Sequence, residues 1–301
     1  MLRTIEQFDA GKLLPYNEKQ TASGVQFAVF PIMFGRDDND KEYVLPAHKF
    51  ASLQLVIEYA FTDSGTVGFT TSETNAKYDL LSKILVPPAG DELIDTPFLR
   101  KKEVFSKTLN TVQEETVDFG VGAGHGAMRR IFVKAYEAGV EDGVDIDKFE
   151  LVANDSQRIV NQRWLTSQAE DMMRYGVVGD KTALLSIAAA SSGTWNSKVS
   201  NIRGVHLTGA DANFANLVLG TDAIAGDLVS FDSEDTAASF ASVTALSDGV
   251  PFATVIDIGT DDIVDSLDIS DDSGISSLKL NLNVAAAGAA VKVVAEEVVF
   301  F

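Results

Sequence analysis

Side-chain alternation limits this chain more than any other feature. Apolar and polar residues follow one another with a period of two, in short runs separated by Gly, Asn, Asp or Ser. Successive side chains of a strand point to opposite faces, so such runs specify strands with one buried face. They fall at 25–32 (VQFAVFPI), 53–61 (LQLVIEYAF), 104–109 (VFSKTL), 115–119 (ETVDF) and 130–136 (RIFVKAY). Others are 149–153 (FELVA), 157–164 (QRIVNQRW), 254–258 (TVIDI), 278–284 (LKLNLNV) and 290–300. Closely spaced turn signals between short strands predict an all-β sandwich or barrel. Helical spacing is scarce. The best stretch is 166–175 (TSQAEDMMRY), with Thr166 or Ser167 as cap, Glu170 in capping-box relation to Ser167, and Gly176 as the stop. Residues 2–8 (LRTIEQF) can form an amphipathic turn or two. Two stretches, 52–73 and 277–297, share the order alternating strand, small-residue turn, alternating strand, and each reads as a hairpin that closes a sheet.

The composition supports a packed core and excludes several chemistries. Hydrophobic residues make up 46% of the 301, with 18 Phe. There is no Cys, so disulfides, thiol catalysis and zinc fingers are excluded. His48, His125 and His206 lie far apart in sequence, against a His-based metal site; His48 reads as structural at a strand edge and His125 as a turn residue. No run of 18 apolar residues occurs. The first 20 residues carry acids where a signal peptide has an apolar stretch. With 24 Lys and Arg against 44 Asp and Glu, the net charge is −20, against direct nucleic-acid binding. The charge is uneven: −6 over 1–97, −2 over 98–175 and −12 over 176–301. The basic residues Arg100, Lys101, Lys102, Arg129 and Arg130 suit interface pairs with acidic loops of neighbouring subunits. Most acidic runs sit in turn-like context and read as solvated turns. The candidates for a Ca²⁺ site are Asp37, Asp38 and Asp40, and Asp261, Asp262 and Asp265, although none has EF-hand spacing.

One motif imitates a nucleotide site. In VDFGVGAGHGA (117–127), Gly122, Gly124 and Ala127 fit G-x-G-x-x-A, and Asp145 follows about 20 residues on. The strand before it is short, no series of β-α units follows Trp164, and RIFVKAY suits a strand as well as a helix. A glycine-rich loop between two strands is the preferred reading. There is no G-x-S-x-G, H-E-x-x-H or P-loop, and the sequence gives no reason to expect an enzyme.

From Phe98 onward the segment order resembles the jelly-roll major capsid proteins of tailless, membrane-containing icosahedral viruses, the double-jelly-roll group that includes corticovirus-like phages. The residues that carry it are FLRKKEVFSKT (98–108), GAMRRIFVKAY (126–136), DIDKFELVANDSQRIVNQRW (145–164) with the short helix behind it, FATVIDIGTDDIVDSLDIS (252–270) and the closing LKLNLNVAAAGAAVKVVAEEVVF (278–300). The resemblance covers about two thirds of the chain. It implies a double jelly roll, with a single jelly roll plus a small β-domain as the alternative. Residues 1–97 are then an N-terminal arm and a first, reduced jelly-roll domain, and 98–301 a second one with a surface insertion at about 177–250.

The resemblance further implies a structural virion protein located in the capsid shell and forming homotrimeric, pseudo-hexagonal capsomers. Its partners are itself, neighbouring capsomers, penton or minor capsid proteins, and an internal membrane through the N-terminal segment, where Leu2, Ile5 and Phe8 supply an apolar anchor. No cofactor is expected beyond the Ca²⁺ candidates. The alternative is a β-sandwich binding module, such as a fibre, an adhesin or a carbohydrate-binding domain. Having only Trp164 and Trp195 weakens a sugar-platform reading.

Overall fold

The computed structural model describes residues 31–37, 40–58, 79–86, 95–137, 145–175, 250, 252–259 and 266–300, together with the backbone of the strands between 181 and 247. Strand structure dominates it, and the chain is all-β with one α-helix and a 3-10 turn at Ala47–Lys49 among the described residues.

Nine strands and the helix form the main body. In chain order they are β1 (Phe98–Thr108), β2 (Glu114–Phe119), β3 (Ala127–Tyr136), β4 (Ile146–Ala153), β5 (Gln157–Arg163) and α1 (Trp164–Tyr175). After an interval come β12 (Ala253–Asp257), the two-residue β13 (Leu267–Asp268), β14 (Leu278–Val284) and β15 (Ala290–Val299). One sheet has the order β1-β15-β3-β12, with β13 also on β3; the other has the order β2-β14-β4-β5. All pairings are antiparallel. Leaving β13 aside, the eight strands pair as nested mirror images: first with last (β1·β15), second with seventh (β2·β14), third with sixth (β3·β12) and fourth with fifth (β4·β5).

Alternation explains the register. On β14, Leu278, Leu280 and Leu282 are buried while Lys279 and Asn283 face outward; Leu280 lies opposite both Val117 and Leu151. These residues join Phe149, Ile131, Val133, Val291, Val293 and Trp164 in the core between the sheets. The β2-β14-β4-β5 sheet keeps a polar second face, where Lys279 stands between Asp118 and Val152, and Asn281 between Thr116 and Glu150. The other sheet is buried on both faces at its centre, since β15 is buried from Val293 to Val298. Phe132, Val255 and Val294 form a second cluster on its far face with Val250, and Tyr43 covers Leu99, Ala127 and Val298 lower down.

Three expectations change. The 278–300 segment is not a hairpin: β14 and β15 belong to different sheets. The connector between them arches from one sheet to the other, with Gly288 at φ 131° and Ala285 N–H bonded to Asp145 O at 2.8 Å. The helix starts at Trp164 rather than at a Ser/Thr cap, because Ser167 points inward, where its hydroxyl and that of Thr254 are 2.5 Å apart. The 53–58 part of the second run pairs in no ladder, and its apolar side chains are exposed. Residues 25–30 and 59–73, which complete the other N-terminal readings, and the 2–8 turn lie outside the described residues.

Between α1 and β12 the sequence reading places no strand, yet six occur: β6 (Lys181–Ile187), β7 (Ser192–Asn196), β8 (Ile202–Thr208), β9 (Phe214–Leu219), β10 (Leu228–Ser233) and β11 (Ser239–Ser247). They form two antiparallel sheets, β7-β10-β9 and β6-β11-β8, and their ladders involve only one another. The main body is left and re-entered at one place, since Tyr175 and Val250 both touch the Phe132 cluster. Chain ends that meet in space make an insertion separable. Replacing 176–249 by a short Gly/Ser linker is therefore expected to leave a sandwich that melts cooperatively; calorimetry showing no such transition would contradict this.

Candidate functional site

The most distinctive chemistry lies on the far face of the β1-β15-β3-β12 sheet. The ladders place Lys101 opposite Glu296, Glu296 opposite Arg130, and Arg130 opposite Asp257. Charge thus alternates across four adjacent strands. Arg174 and Tyr175 of α1 extend the row, since the Arg174 guanidinium pairs with Asp257 and the Tyr175 hydroxyl donates to Asp257 Oδ2 at 2.7 Å.

Glu296 is the hub and is fully buried. Arg130 grips it with both arms, Nε to Oε1 and Nη2 to Oε2, each at 2.8 Å. Arg129 Nη1 donates to Oε1 at 2.6 Å, and Lys101 Nζ lies 3.9 Å from Oε2. In a regular strand Arg129 and Arg130 would point to opposite faces. A bulge permits both to reach one carboxylate: Glu296 faces Arg130 and Glu297 faces Met128, leaving Arg129 as the extra residue. Burial alone would raise the Glu296 pKa, but attraction and hydrogen bonds from Arg130, aided by Lys101 and Arg129, hold it well below the usual carboxylate range. Arg130 also lies over the Phe132 ring, 5.0 Å from its centroid.

A second group closes one end of the sandwich. Glu297 accepts from Arg100 Nη2 at 2.5 Å, Arg100 also donates to Gly124 O at 3.0 Å, and His125 Nδ1 lies 3.3 Å from Glu297 Oε1. The glycine-rich loop is thereby pinned to the sheet end. Gly126 sits so close to the Val298 carbonyl that no Cβ fits there. Since 127–136 is strand, the loop leads into no helix, and the dinucleotide imitation lacks the helix N-terminus that would receive a pyrophosphate.

The third element is a cleft of about 170 Å³ between β5, α1 and β12, lined by Val160, Gln162, Glu170, Asp171, Arg174 and Asp257 among others. Asp171 Oδ2 accepts from Thr254 Oγ1 at 2.8 Å and Val255 N–H at 3.0 Å, which ties the helix to the edge strand. Burial pushes the Asp171 carboxyl up to about 7 against these two bonds. Together the three elements provide charge pairing that locks strand order and one carboxyl that takes up a proton near neutrality.

The residues singled out from sequence are placed as follows. Asp40 is engaged by Arg36 (Nε to Oδ2 at 2.8 Å, Nη2 to Oδ1 at 3.1 Å) and by the Glu42 N–H at 3.0 Å. Burial works the other way, but the Arg36 bonds prevail and hold its pKa at about 2. Asp37 is exposed nearby, and Asp38, Asp261, Asp262 and Asp265 lie outside the described residues. Among the described residues no group of three or more His, Cys, Asp or Glu is placed to hold a metal ion. His48 sits exposed in the 3-10 turn rather than at a strand edge. Lys101, Arg129 and Arg130, expected at interfaces with other subunits, are spent inside the chain because β15 inserts Glu296 between β1 and β3. Sequence reasoning missed Glu296 and Asp171. The only signal for Glu296 was a charged pair, Glu296-Glu297, inside an apolar run.

No protein-family model, no curated protein and no solved structure matches this chain.

Proposed function

We propose that this chain is a structural subunit of an icosahedral viral shell, a jelly-roll major capsid protein that forms homotrimeric capsomers and catalyses no reaction. The observation that carries the reading is the nested pairing of eight strands, four in each of two sheets, with β13 added at the side of one. Such doubly wound order is how a jelly roll is built, and viral capsid proteins are among its main users, beside lectins and cupins. The buried charge row adds a reason: a shell subunit must hold one rigid shape, and cross-strand pairing of buried charges fixes register.

Support for a two-roll chain comes from the interval at 181–247. Its pairs β6·β11 and β7·β10 are nested in the same way, and its orders β6-β11-β8 and β7-β10-β9 follow the winding of the main body with two strands fewer. In this reading the smaller roll is inserted within the larger one. The described part of residues 1–97, with no strand, acts as an arm. The competing binding-module reading is weakened by Trp164, which is buried in the core and offers no stacking platform. The purified protein is expected to have about three times the 32.2 kDa chain mass and a hexagonal outline in negative stain. A monomer that binds glycans would replace the proposal with the lectin-like alternative.

A further inference from the structure

The β2-β14-β4-β5 sheet ends in two strands that pair on one side only, β2 and β5. Such edges are templates for a further strand. The two carry opposite charge. Strand β5 holds Arg158 and Arg163 and no acid, whereas β2 holds Glu114, Glu115 and Asp118 and no base. Placement matches as well as sign. Residues opposite one another on a ladder share a face, and Phe149 and Leu151 are buried, so their partners Gln162 and Val160 lie on the core side of β5. Arg158, Asn161 and Arg163, opposite Val152, Glu150 and Lys148, lie on the outer face and are exposed. On β2 the outer, exposed residues are Glu114, Thr116 and Asp118, and Val117 faces the core. Arg158 and Arg163 are five apart in sequence, but the bulge at Ile159 leaves them only four ladder steps apart, from Val152 to Lys148. Glu114 and Asp118 are also four apart, so the two bases and the two acids each span about 13 Å.

We propose that β5 of one copy of this chain pairs with β2 of a second copy, extending the sheet across the contact. Strand direction alternates through this sheet, so a copy set beside β5 in the same orientation presents β2 antiparallel to it. One register then satisfies both faces. On the outer face Arg158 meets Asp118, Asn161 meets Thr116 and Arg163 meets Glu114, while Val160 meets Val117 on the core side. Arg158 lies 3.6 Å from Glu150 of its own chain, but its side chain stays 65% exposed and is open to a second carboxylate. Charge selects the occupant. Pairing β5 with β5 would oppose arginines and pairing β2 with β2 would oppose acids, and like charges directly opposite are destabilising. Two copies of net charge −20 repel in general, and the two arginines of β5 offer the acids of β2 a place where they attract. The contact joins unlike edges, so it is head-to-tail, the type that closes rings where its rotation allows. The inference rests on the shell-subunit reading in that the partner is taken to be another copy; it adds which strands meet and in what register.

The test compares sedimentation of the wild type, Arg158→Glu/Arg163→Glu, Glu114→Lys/Asp118→Lys, and a chain with all four substitutions. The wild type is expected to sediment as an oligomer. Each double variant brings like charges to the contact and is expected to associate at least tenfold more weakly, with a cooperative melt that shows it folded. The fourfold variant exchanges the charges of the two edges and is expected to regain the wild-type mass, which loss of fold could not produce. Hydrogen exchange on the wild type supplies a reading free of mutations: amides at 114–118 and 158–163 should gain protection as concentration rises. Double variants that keep the wild-type mass, a folded fourfold variant that stays monomeric, or edge amides that gain nothing on assembly would overturn the β5·β2 contact and leave the subunit reading standing. A wild type monomeric at every concentration would overturn both.

Discussion

Replacing Glu296 by Ala is expected to destabilise the fold by about 3–5 kcal/mol, the range for removing one partner of a buried ion pair. Most of that loss comes from what stays behind. Arg130 and Arg129, both buried, would be left without the carboxylate that neutralises them. Lys101 would lose its Glu296 contact as well. A Glu296→Gln change keeps hydrogen-bonding oxygen but not the charge, and should fall between the wild type and the Ala variant. An Arg130→Met/Glu296→Leu pair, which removes both charges together, should recover much of the loss. Urea unfolding measures all three. A loss below about 1 kcal/mol for Glu296→Ala would show that the row is solvated and contributes as little as an ordinary surface pair.

Stability should also change with pH in two opposite ways. Asp171 has a carboxyl raised by burial from its ordinary value of 3.8 to about 7. The folded chain therefore holds that proton more tightly than the unfolded chain. Between about pH 4 and pH 7 the unfolded state has released the proton and the folded state has not, so stability falls as pH rises through this window. Integrated over the shift, the loss is at most ~4 kcal/mol. Glu296 acts in the other direction: its folded pKa is depressed, so its contribution is present above its ordinary value of 4.5 and fades as pH falls below it. The wild type should be most stable on the acid side of neutrality. Asp171→Asn, which keeps the bonds from Thr254 and Val255 but cannot ionise, should flatten the decline between pH 4 and pH 7. Parallel melting curves for the two proteins over that range would refute the assignment.

The sandwich was legible where alternation is strict. LKLNLNV has its leucines inward because a period of two admits only one buried face, and FELVA opposite it obeys the same rule. RIFVKAY was ambiguous by pattern, since it is buried on nearly every side, and only its central place in a covered sheet makes it a strand. Partner choice was less visible. A sequence read locally joins neighbours, so 278–300 looked like a hairpin, whereas the ladders join residues nearly the whole domain apart, such as Phe98 with Val299. The candidate site escaped for the same reason. Glu296 means little until a bulge turns Arg129 beside Arg130, and Asp171 gains its character from Thr254 and Val255, more than 80 residues away. Exposed apolar runs also misled, because 53–57 has the alternation of a strand and yet belongs to no ladder within the chain.

The nested pairing also has a consequence for how the protein is made. The last two long strands occupy the centre of both sheets, with β15 between β1 and β3 and β14 between β2 and β4. A ribosome that has synthesised everything up to β12 has therefore released two sets of strands with gaps at their middles. The β2-β14-β4-β5 sheet cannot close before Val284 has emerged, nor the other before Val299, and contacts of such long range fold slowly. The nascent chain should stay open, with apolar strand edges exposed, until synthesis has passed that point. A truncated product lacking β14 and β15 would keep only the β3·β12, β3·β13 and β4·β5 pairs of the main body, so winding order makes the last strands the ones that decide whether the sandwich exists at all.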